Sequence, residues 1–133
     1  MAVDYGERRT GLAVSDELGI TAQGLDTVMV DDEAKLPSEI ARIAADMGAE
    51  KIVVGLPLNM NGTESEKSVK VREFGDILAR ESALQVVYWD ERMSSMQAHR
   101  VMRELGKKQR GNKDVIDRIS ATLMLQEYLK TLI

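Results

Sequence analysis

Apolar residues recur along this chain at two periods, and the switch between them marks out its elements. Met1 to Tyr5 and Thr10 to Ser15 are short apolar segments separated by Gly6-Glu7-Arg8-Arg9, whose glycine and charges predict a hairpin turn. Gly24 to Val30 is expected to add a third strand to that meander. From Ala34 to Met47 the apolar positions Ile40, Ile43, Ala44 and Met47 follow helical spacing, with Gly48 placed to end the helix and Pro37 tolerable only in its first turn. The unbroken run Ile52-Val53-Val54 predicts a strand covered on both faces, hence a central parallel one in a βαβ layout. Gly55 to Glu64 combines glycine, proline and asparagine and predicts a loop, followed by a helix with Val71, Phe74 and Leu78 on one face. Leu84 to Trp89 predicts another strand, and Ser94 with Gln97 forms a capping-box pattern for a helix running to about Gly106. A basic, irregular stretch, Lys107 to Lys113, precedes a last helix that begins near Asp114 with Ala121, Met124, Tyr128 and Leu132 as its inward stripe.

Composition narrows the class. At 133 residues, 44% hydrophobic and 30% charged, the chain suits one domain with a real core. A net charge of −4 excludes bulk electrostatic gripping of nucleic acid, so any such contact must be local. No run reaches the roughly 18 apolar residues of a membrane span, and the N-terminus enters a strand-like segment, so a cytoplasmic location without membrane contact is expected. With no cysteine and a single histidine, His99, thiolate chemistry and imidazole-rich metal sites are excluded. Carboxylate oxygens remain as ligands, and these suit Mg²⁺ or Mn²⁺.

Three acids stand in unusual places. Asp4 closes the first apolar strand, Glu91 follows a strand in Trp89-Asp90-Glu91-Arg92, and Asp117 falls one turn before Ala121 on the apolar face of the last helix. Carboxylates gathered by a fold repel one another unless cations neutralise them, so such a set points to a divalent metal site. Each acid also has a structural explanation. Asp4 could start a turn, Asp117 could favour the helix dipole or pair with Arg118 or Lys113, and either Asp90 or Glu91 could serve Arg92. Open α/β sheets collect their sites beyond the carboxyl ends of strands, where both Asp4 and Glu91 lie. Arg8, Arg9, Lys107, Lys108, Arg110 and Lys113 occupy two expected loops that could offer phosphate contacts.

Four segments together are specific. Asp4-Tyr5-Gly6-Glu7-Arg8-Arg9-Thr10-Gly11, Val54-Gly55-Leu56-Pro57-Leu58-Asn59-Met60-Asn61-Gly62-Thr63, Asp90-Glu91-Arg92-Met93-Ser94-Ser95 and Ile116-Asp117 closely resemble the YqgF family, also called RuvX, over essentially the whole chain. The resemblance implies an RNase H-like α/β fold: a five-stranded mixed sheet, three antiparallel strands then two parallel ones, with helices on both faces. It also implies that Asp4, Glu91 or Asp90, and Asp117 hold two Mg²⁺ or Mn²⁺ ions for phosphodiester hydrolysis, with Arg8, Arg9, Lys107, Lys108 and Arg110 binding nucleic acid. The implied activity is a metal-dependent endonuclease acting on structured RNA, foremost the pre-16S ribosomal RNA, as a monomer or homodimer. A Holliday-junction resolvase acting on branched DNA and a non-catalytic ribosome-assembly module are the alternatives. RuvC-type resolvases carry a further acid on the strand that here ends in Gly55-Leu56-Pro57, and this chain has none there.

Overall fold

The computed structural model describes residues 1–132. β1 (Ala2–Asp4) is the hub of the sheet: it pairs antiparallel with β2 (Arg9–Ser15) and parallel with β5 (Lys51–Leu56). β6 (Gln85–Asp90) extends the parallel side, and β3 (Ala22–Gly24) and β4 (Val28–Met29) pair antiparallel with β2, giving the order β3-β2-β1-β5-β6 with β4 beside β2. The expected mixed sheet with three antiparallel and two parallel strands is therefore present.

The outer antiparallel strand differs from the expected Gly24–Val30 segment. It is broken into β3 and β4, which meet opposite ends of β2. The intervening Asp26 and Thr27 bow away to bond the last helix, Asp26 accepting from Arg118 at 2.8 Å and Thr27 donating to the Asp114 carbonyl at 3.4 Å.

Helices α1 (Leu36–Asp46) and α2 (Glu66–Ser82) cover one face of the sheet. There Val3, Leu12, Ile52 and Val54 meet Ile40, Ala44, Val71, Phe74 and Leu78 in the main core. Each fully buried large aliphatic side chain contributes about 1.5–3 kcal/mol, so this face dominates the stability. Pro37 sits in the first turn of α1, where its missing N–H costs nothing. Helix α4 (Lys113–Lys130) covers the other face with a smaller cluster, in which Ala2 and Ala13 pack on Ala121, Met124, Leu125 and Leu129.

Three further expectations shift. The inward stripe of α4 runs through Leu125 and Leu129 and stops short of Leu132, which is 60% exposed because the helix ends at Lys130 and Leu132 lies in the turn beyond it. Helix α3 (Met96–Lys108) is capped by Ser95, which accepts from the Ala98 N–H, while Ser94 accepts from the Trp89 indole at 3.2 Å. Lys107 and Lys108 form the last turn of α3, where cations suit the negative helix end, so the basic loop contracts to residues 109–112.

Candidate metal centre

Strand alternation decides which acids share a face. Ala2 packs toward α4, so Asp4, two residues on, points to the same side. On β6, Trp89 meets Tyr128 of α4 edge-on with ring centroids 6.1 Å apart, whereas Tyr88 reaches back to α2 and donates to the Arg72 carbonyl. The next residues separate in the same way. A Cβ built on Gly55 would lie 2.8 Å from Glu91 Oε1, so the Glu91 carboxylate rests over β5 on the α4 side.

Asp90 is engaged elsewhere. Its carboxylate accepts from the Arg92 backbone N–H, and from the Arg92 guanidinium with distances of 2.7 to 3.1 Å. Arg92 in turn donates to the Met60 carbonyl at 3.2 Å, tethering the loop that leaves β5. This ion pair holds the Asp90 carboxyl below its ordinary range. Between the two acids left open by the sequence, the structure has Asp90 anchoring a loop and Glu91 facing Asp4.

Asp117 enters from α4. A Cβ on Gly11 would lie 2.4 Å from the Asp117 carbonyl oxygen and 3.4 Å from its Cβ, so the helix backbone presses on β2 at this point. The Asp117 carboxylate pairs with neither Arg118 nor Lys113. It accepts from Arg9 Nε at 3.0 Å, and the same guanidinium bonds Asp114 one turn earlier. Arg9, expected in a loop as a phosphate contact, is thus the first residue of β2 and is held by two acids.

The electrostatics are those of a crowded anionic site. Burial pushes the Asp4 carboxyl up, the neighbouring Asp117 charge adds to this, and the Ser120 hydroxyl and the Lys67 charge oppose it. Glu91 is pushed up to about 7, first by burial and then by Asp4, again against Lys67. Sequence reasoning missed Lys67 and Ser120. Ser120 is a polar residue one turn after Asp117, and that spacing could have flagged it. Lys67 sits in the first turn of α2, fixed by reciprocal Ser65 and Ser68 bonds, and only the fold brings it to the site.

Among the described residues, no three acidic or imidazole side chains stand close enough together to hold a metal ion as placed. The donors nevertheless fit one. They are all oxygens, the Asp4 charge raises the proton affinity of Glu91 and the Asp117 charge that of Asp4, and Asp117 is held by an internal cation. Arg8, Lys107, Lys108 and Arg110 are exposed and form no ion pair among the described residues, and His99 is exposed on α3.

Comparison with known proteins bears on this arrangement. The sequence profile of RuvX, described as Holliday junction resolvase, matches residues 1–131. The chain belongs to the RuvX family. A RuvX relative from Agathobacter rectalis, named "Putative pre-16S rRNA nuclease", is 45% identical over 132 residues, covering 97% of this chain and 92% of its own. One of the same name from Koribacter versatilis is also 45% identical, covering 98% and 85%. The RuvX fold is that of RuvC. The structure described as T. thermophilus RuvC in complex with Holliday junction substrate superposes with a TM-score of 0.60 at 14% identity, over 97% of this chain and 92% of that one. The fowlpox virus Holliday junction resolvase superposes at 0.55 and 12% identity, over 98% and 96%.

Proposed function

We infer that this RuvX-family nuclease hydrolyses phosphodiester bonds in structured RNA, with Asp4, Glu91 and Asp117 as the ligands of Mg²⁺ or Mn²⁺ and pre-16S ribosomal RNA as the substrate. The observation that carries the metal reading is the pairing of Asp4 and Glu91 on one sheet face, each raised in pKa, with Asp117 adding to the repulsion. Such an arrangement is unfavourable for an isolated protein and favourable around a cation. The RNA substrate draws its support from the names of relatives at 45% identity.

When bound, one or two divalent ions would activate a water and stabilise the departing oxygen at phosphorus. The chain's own groups supply the rest. The Ser120 hydroxyl and Lys67 favour the ionised form of Asp4, Lys67 does the same for Glu91, and the Asp90–Arg92 pair fixes the loop beside Glu91. Arg8, Lys107, Lys108 and Arg110 offer exposed charges for backbone phosphates. Acting on ribosomal RNA, the protein would work in the cytoplasm. No described helix is long and apolar enough to cross a membrane. Mg²⁺-dependent cleavage of a precursor ribosomal RNA by the wild-type protein, Asp4→Asn and Asp117→Asn tests the reading, and equal cleavage by all three sinks it.

The family description favours a second reading, resolution of branched DNA. It requires a symmetric dimer presenting two sites, and the strand ending in Gly55-Leu56-Pro57 lacks the acid that RuvC-type resolvases carry there. A strictly monomeric protein at working concentration, inactive on four-way junctions, would remove it. Calorimetry showing intact RNA binding without Mn²⁺ binding would instead favour a non-catalytic module.

A further inference from the structure

Arg9 offers the feature that the functional reading does not absorb. Its guanidinium spans Asp114 and Asp117, residues three apart and therefore neighbours on the first turn of α4. All three side chains keep partial solvent access, with 26% of the Arg9 side chain, 25% of Asp117 and 60% of Asp114 exposed. The planar fork of arginine suits such a double engagement and a lysine would not reproduce it. Beneath it the backbone is fixed, because Gly11 brings β2 against the Asp117 carbonyl. The helix cannot approach further to deliver the carboxylate. Only rotation of the Asp117 side chain can move it between partners.

We propose that Arg9 is a built-in counter-cation that competes with the divalent ion for Asp117, so that metal entry and release of Arg9 toward the substrate phosphate are one exchange. The inference rests on the reading of Asp4, Glu91 and Asp117 as the ligands. In the metal-free protein Arg9 neutralises the acid that otherwise adds to the repulsion on Asp4. When the carboxylate turns to the ion, the guanidinium keeps Asp114 as its anchor and frees its Nε edge. That edge then lies beside the site with donors suited to a phosphate oxygen. The protein thereby avoids an uncompensated acidic centre before metal arrives, and a phosphate clamp becomes available only once metal is in place.

Titration calorimetry of Mn²⁺ into nucleic-acid-free protein tests this without reference to turnover. Arg9→Gln should tighten Mn²⁺ binding about five- to tenfold over wild type, as expected for loss of a partly exposed charge-assisted pair. Arg9→Lys, which keeps charge but loses the fork, should fall between them. Asp114→Asn, which retains Arg9 but removes its second anchor, should tighten binding about twofold and guards against a folding defect in the Arg9 variants. Unchanged or weaker Mn²⁺ binding by Arg9→Gln overturns the proposal, since Arg9 would then position Asp117 for the ion. A combined Arg9→Gln, Asp117→Asn variant separates this from failure of the underlying reading. If it binds Mn²⁺ as tightly as Arg9→Gln alone, Asp117 is not a ligand and both ideas fall.

Discussion

The two faces of the sheet are built from different residues. Toward α1 and α2 the strands present Val3, Leu12, Ile52 and Val54, and the helices answer with Ile40, Val71, Phe74 and Leu78. Toward α4 they present Ala2, Gly11, Ala13 and Gly55, and the helix answers with Ala121 and Met124. The first face buries area, and area is stability. The second buries a smaller cluster but lets a helix approach closely, which is what the proposed ligands from β1, the turn after β6 and α4 need in order to share an ion. One face keeps the molecule folded and the other sets distances.

That division can be broken in graded ways. The largest effect is expected from Asp4→Asn, which should cut metal-dependent cleavage about a thousandfold while leaving the melting temperature of the metal-free protein equal or higher, because a repelled buried charge is gone. Cleavage assays and calorimetric melts of the same preparation check both halves. On the opposite face, Leu78→Ala should lower stability by about 2–5 kcal/mol in urea titration, with cleavage by the remaining folded molecules retained. A matching loss of specific activity there would erase the contrast.

Gly55→Ala probes the boundary. The new methyl group would meet Glu91 Oε1 and Met124 Sδ, each at 2.8 Å, and both are ends of flexible side chains that can move aside. Stability should change by less than about 1 kcal/mol, while displacement of Glu91 should slow cleavage about tenfold. The smallest effect concerns pH. Glu91 has an ordinary value of 4.5 and is pushed up to about 7 in the fold, so between those values the native state holds a proton that the unfolded chain has released. Stability of the metal-free protein should therefore fall as pH rises from about 5 to 7, by on the order of 1 kcal/mol after relaxation and water entry. Melts in chelator should show this slope, and Glu91→Gln should flatten it; an unchanged slope in that variant would assign it to other groups.

The sequence disclosed the thick face more readily than the thin one. The run Ile52-Val53-Val54 and the spacing of Ile40, Ala44, Val71, Phe74 and Leu78 each report burial directly, and those elements stand where periodicity placed them. The break between β3 and β4 was invisible because Asp26 and Thr27 answer to α4, some 90 residues away. Arg9 and Asp117 are 108 positions apart, and nothing local to either announces the pair. The three acids stood out by their positions and the resemblance gave them a shared role, while the proposed preference for Glu91 over Asp90 needed the fold. Counting alternation from Trp89 would have put Glu91 on the right face, but only once Trp89 was known to meet Tyr128.

Gly11, Gly24 and Gly55 all lie under α4, where an added Cβ would meet Asp117, Arg118 or Met124 within 3 Å. For a genetic screen this has a practical meaning. Inactivating alleles should accumulate at positions that carry no reactive atom, and they would be misfiled as folding defects unless abundance is scored beside activity. The same holds for searching genomes: a chain that retains all three acids but carries bulk at these glycines has kept the vocabulary of the site and lost its grammar.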